Sequence, residues 1–128
     1  MKKYLVLIFI TVLFSSNYEM SKFCKNYKLD MERYQVDFSP NVNRIELDVV
    51  SSRNDFDYSM LIGFYAVGSV NQTYVLENKD NLLVVVNVTI NAANDTYNII
   101  GQASYEYVED LATGRIESYE FIRKIKYL

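Results

Sequence analysis

The chain of 128 residues has no histidine, no tryptophan, one cysteine, one proline and four glycines. Without histidine it lacks the commonest general base, the commonest metal ligand and every Ser-His or Cys-His nucleophile pair. Zinc centres built from cysteine and histidine are excluded with them. Cys24 is the single cysteine, so no internal disulfide can form. In an oxidising compartment such a thiol either cross-links two chains or sits buried. Burial is expected, because only Lys22 and Lys25 stand close enough in sequence to lower its pKa. Gly63, Gly68, Gly101 and Gly114 are too dispersed for a phosphate loop or a dinucleotide-binding turn. No catalytic residue and no cofactor is assigned, and the expected class is non-enzymatic.

What is present starts with an address. Met1-Lys2-Lys3, the apolar run Tyr4 to Phe14 and then Ser15-Ser16 have the order of a secretion signal: cationic start, apolar middle, small polar residues where a peptidase cuts. The run is short of the roughly 20 apolar residues that span a bilayer. Residues 1–16 are therefore expected to be a signal peptide and 17–128 a single β-rich domain, secreted, or periplasmic or exported in a bacterium, with no stable membrane span after cleavage. The 13 basic residues face 16 acidic ones, a formal charge of −3, and loss of Lys2 and Lys3 takes it to about −5. Such a surface repels nucleic acid and anionic headgroups and attracts a basic partner.

Along 17–128 the dominant signal is alternation with period two, which puts every second side chain on one face of a strand. Arg44 to Val50 shows it with Ile45, Leu47 and Val49, and Leu82 to Asn91 with Val84, Val86, Val88 and Ile90. Tyr58 to Gly68 is apolar on both faces, as expected of a central covered strand. Val70, Tyr74 and Leu76 continue as a strand into the polar turn Asn78 to Asn81, and Asn94-Asp95 supplies another turn. Tyr97 to Val108 and Arg115 to Tyr127 are expected to pair as a hairpin about Ala112-Thr113-Gly114, with Gly114 left-handed. That register sets Tyr107 opposite Tyr119 and Tyr105 opposite Phe121.

Phe23 to Phe38 supports two readings. A helix gives a stripe of Phe23, Tyr27, Met31, Tyr34 and Phe38 but leaves Leu29 and Val36 wet. A strand bulged at Glu32-Arg33 turns all six of its apolar residues, Tyr27 to Phe38, inward and is preferred. With that choice about seven short strands point to an all-β antiparallel sandwich of immunoglobulin-like type. The helical reading gives instead an α+β roll of the cystatin kind, one N-terminal helix on an antiparallel sheet.

In the expected hairpin Glu109 opposes Glu117 and Glu106 opposes Glu120, with Asp110 adjacent. Five carboxylates so placed would take a calcium ion or meet a basic patch on a partner. Twelve tyrosines favour interfaces as well as strands, and most of those in strands are expected inside. Asn71, Asn87 and Asn94 each begin an Asn-X-Thr sequon and are glycosylation candidates in a eukaryotic or viral secretory pathway. Together these features imply a small acidic binding module, most directly for another protein through sheet edge, acidic hairpin and loops. A carrier holding a lipid or other apolar ligand between two sheets and a secreted inhibitor of a basic enzyme are the other readings.

Overall fold

The computed structural model describes residues 17–38, 43–52, 55–70, 81–92 and 95–128. The signal segment, Tyr74 and Leu76, the turn before Asn81, and the sequons at Asn71 and Asn94 lie outside them. Helix α1 is described over residues 17–26. Then come β1 (Asp30–Phe38), β2 (Asn43–Ser51), α2 (Phe56–Val70), β3 (Leu83–Ala92), β4 (Asp95–Ser104), α3 (Tyr105–Thr113), α4 (Ser118–Ile122) and β5 (Lys126–Tyr127). The five strands lie in sequence order in one sheet. All neighbours are antiparallel except the central pair, where β2 and β3 run parallel with Leu47 beside Val86. Two parallel neighbours need a crossover connection, and α2 lies in the stretch that makes it.

The all-β sandwich is thus overturned: this is an α+β fold with one mixed sheet and four helices among the described residues. The α+β alternative holds as a class, although its sheet is not purely antiparallel and it has more than one helix.

Alternation identified the inner strands correctly. Ile45, Leu47 and Val49 of β2 and Val84, Val86, Val88 and Ile90 of β3 are buried, as inferred. The ambiguous segment divides: its first four residues end α1, and β1 follows after Lys28 in a left-handed conformation. The bulge is where the phase break put it. Met31 pairs with Val49 and Arg33 with Asp48, leaving Glu32 without an opposite residue.

Tyr58 to Gly68 is helix, not strand. Its apolarity has no period because α2 is covered on two sides, by the sheet at Gly63 and by α3 at Gly68. Two signals mark it. Asp55 caps it, accepting from the Tyr58 N–H at 3.0 Å, and fifteen residues exceed the usual length of a strand.

The expected terminal hairpin is also replaced. β4 stops at Ser104, and Tyr105, Val108 and Leu111 are buried at spacings of three, the mark of a helix. Gly114 is left-handed, at φ 77°, but as the cap of α3, donating its N–H to the Asp110 and Leu111 carbonyls. Arg115 to Tyr127 becomes α4 and the short β5.

Candidate functional site

At the end of the sheet where β3 begins and β4 gives way to α3, a groove of about 880 Å³ opens. Its floor is the chain entering β3, where Asn81 takes a left-handed backbone that asparagine tolerates well. Leu82 is fully buried, and its carbonyl accepts from the Tyr105 N–H at 2.9 Å, tying α3 to that entry. Since Tyr105, Val108 and Leu111 face the core, the same helix turns Glu106, Glu109 and Asp110 to the groove.

Arg115 lies across two of these. Its Nη1 is 3.6 Å from Asp110 Oδ1 and 4.0 Å from Glu109 Oε1, and its N–H donates to the Asp110 carbonyl at 2.8 Å. With a side chain 67% exposed, the pairing contributes little to stability. Glu106 is exposed at the first turn of α3 and carries no ion pair among the described residues.

Tyr105 is the unusual member. It is 1% exposed, and its Oη has no hydrogen-bond partner among the described residues. Burial, and then the Glu109 charge, push its pKa up to about 12, so the phenol stays protonated, both donor and acceptor. An enclosed unmatched hydroxyl costs about 1–3 kcal/mol.

The five carboxylates singled out in the sequence are not gathered as a hairpin would gather them. Glu106, Glu109 and Asp110 share α3, Glu117 caps α4 and lines a different cleft, and Glu120 is exposed in the first turn of α4. Among the described residues no three potential ligands are grouped to hold a metal ion. Asn87 does turn away from the described helices, since Val86 and Val88 are buried, but it is half-buried and its Oδ1 is enclosed without a hydrogen-bond partner among the described residues. Of the strand tyrosines expected inside, Tyr105 is buried, Tyr65 and Tyr107 are half-buried, and Tyr58, Tyr97, Tyr119 and Tyr127 are exposed.

The second cleft, about 360 Å³, is lined by Tyr27, Leu61, Tyr65, Leu111 and Ile116 with Glu117 at its side. Phe23 packs on both tyrosines, at 5.1 and 5.7 Å between ring centres. Sequence reasoning missed both openings, because each is made by helices it had read as strands. No described helix is long and apolar enough to cross a membrane. No protein-family model, curated protein or solved structure matches the chain.

Proposed function

We propose that the protein is a secreted, non-enzymatic acidic binding module, and that its α3 groove receives a cationic side chain from a basic protein partner. A basic enzyme subject to inhibition is one such partner. The observation that carries this reading is the groove wall: Glu106, Glu109 and Asp110 line it together, and exposed Glu106 has no ion pair among the described residues. A guanidinium or ammonium entering there would meet the Glu106 carboxylate in a charge-assisted hydrogen bond, stronger than a neutral one. The intramolecular Arg115 contact shows the chemistry on the same wall.

The test is an NMR titration of the labelled protein with acetyl-arginine amide and acetyl-lysine amide. Shifts confined to residues 104–110 and lost in Glu106→Gln support the groove; shifts scattered over the acidic surface defeat it. Tyr105→Phe should leave the interaction unchanged while stabilising the fold by about 1 kcal/mol, since it removes an unmatched buried hydroxyl. A carrier of apolar ligands loses its place between two sheets in a one-sheet fold; what favours that second reading is the aromatic cleft of Tyr27 and Tyr65. A native mass that exceeds the denatured mass by a ligand would support it.

A further inference from the structure

The sheet has two edges, and they differ. β1 is blunted by the Glu32 bulge and carries Asp30, Glu32, Arg33 and Asp37. Bulges and charges of this kind are how an edge strand avoids pairing with another chain. β4 is the outer strand along Asp95–Ile100, where the only charge is at its first residue, because β5 pairs only with Gly101 and Gln102.

The direction of its backbone groups follows from one bond. The Leu128 N–H donates to the Ile100 carbonyl at 2.9 Å, so Ile100 points its polar groups outward. Backbone groups alternate along an antiparallel strand. The pairing of β4 with β3 is unbroken from Asp95 to Ser104, so Asn98 and Thr96 point the same way as Ile100. Beyond Leu128 nothing among the described residues pairs with them, and two donors and two acceptors of a strand face outward.

Beside that edge, on the helix side, Tyr97 is 46% exposed and packs edge-on against Phe56 at 6.5 Å. Tyr127 is exposed at the other end of the same ledge. Two carboxylates border it. Asp95 accepts from the Tyr97 hydroxyl at 3.4 Å, and Asp57 acts on the Tyr127 phenol, whose pKa is raised by burial first and by that charge second. Neither carboxylate is paired with a cation among the described residues.

We infer that the outward edge of β4 at Thr96 and Asn98 accepts an extended segment of another protein as an added strand, with lysine or arginine at alternate positions facing Asp57 and Asp95. Main-chain bonds supply the attachment, and the aromatic ledge with its two carboxylates supplies the selection. Charge decides the occupant. A second copy would bring its own Asp57, Asp95 and net negative charge to the same seam, whereas a basic segment complements them. The edge lies apart from the α3 groove and stands or falls separately.

The probe is a peptide of alternating lysine and valine, with a glutamate–valine peptide as control, each added to the full chain while amide exchange is followed by NMR. The lysine peptide should slow exchange at Thr96 and Asn98 and the glutamate peptide should not. Asn98→Pro removes an outward donor that the ladder to β3 does not use, and should abolish binding with the sheet intact. Asp57→Asn combined with Asp95→Asn should weaken binding severalfold while keeping the aromatic ledge, whereas Glu106→Gln should leave it unchanged. Three results would overturn the inference: both peptides binding alike, unchanged exchange at Thr96 and Asn98 when the lysine peptide binds, or protection that appears without peptide as protein concentration rises, which would identify self-pairing.

Discussion

Two glycines of α2 decide how closely it can be enclosed. A methyl group on Gly63 would come within 2.6 Å of Val86 Cγ1, and one on Gly68 within 2.7 Å of the Val108 carbonyl oxygen. Glycine costs about 1 kcal/mol against alanine inside a helix, so Gly→Ala there ordinarily stabilises. Here the sign reverses, because a backbone carbonyl cannot swing aside. Gly68→Ala should destabilise the protein by about 1–2 kcal/mol, the overpacking cost less the helix gain, and a urea midpoint lowered at unchanged m would show it. Cys24 is the other telling residue. It lies wholly buried on α1, and burial pushes its thiol up to about 11. A thiol-specific reagent at pH 8 should leave the native protein unmodified and label it on unfolding, and the folded chain should form no disulfide dimer.

Elements were legible where one face is dry and the other wet. β2 and β3 are central strands of a sheet that the described helices cover on one side, so alternation survives in them, and even the phase slip at Glu32 could be read. The bulge also bears on association. Deleting Glu32 should leave Met31 opposite Val49 and Arg33 opposite Asp48, giving a straight β1 that keeps its inner residues. The variant is expected to fold but to lose the twist that keeps the edge apart, so sedimentation should find it self-associating at concentrations where the parent is monodisperse. α2 was illegible by periodicity because it is covered on two sides, and a fully buried apolar run has no period to report. α3 was misread because Tyr105 and Tyr107 alternate as in a strand. The Tyr105, Val108 and Leu111 stripe carried the competing helical signal, and Gly114 satisfied either a hairpin or a helix cap.

Across the whole molecule, one core joins α1, α2, α3 and α4 to the sheet through Met20, Phe64, Val86, Val108 and Phe121, with Phe64 and Phe121 in edge contact at 5.2 Å. The sheet face away from it carries the polar set of β1 and β2, where Glu46 binds Arg33 at 3.3 Å and Arg44 at 2.9 Å. Asp48 stands among them opposite Asn87. Its pKa is raised by burial, lowered in part by Arg33, and raised again by Glu46 and Glu32. A carboxyl whose folded pKa exceeds its unfolded one favours folding below the unfolded value, and that contribution is lost as pH rises through the folded value. At neutral pH the charged Asp48 therefore opposes folding. Asp48→Asn should raise Tm at pH 7, and the difference from the parent should vanish below the ordinary aspartate pKa of about 4. A Tm difference independent of pH would contradict the assignment.

The candidate site divides along the same line. Composition alone excluded histidine chemistry and zinc centres built from cysteine and histidine, and made the chain acidic, because those statements need only counting. Local pattern located β2, β3 and the bulge in β1, because one-sided burial writes itself into alternate residues. Whether Tyr58 to Gly68 became strand or helix depended on what covered it, and the parallel β2–β3 pair, which needs a crossover, made it α2. With α2 between sheet and α3, the terminal carboxylates went to two helices instead of one hairpin, and the groove beside Tyr105 formed between segments more than twenty residues apart in sequence. Burial on two sides and contact at a distance leave no local period, so folding alone placed them.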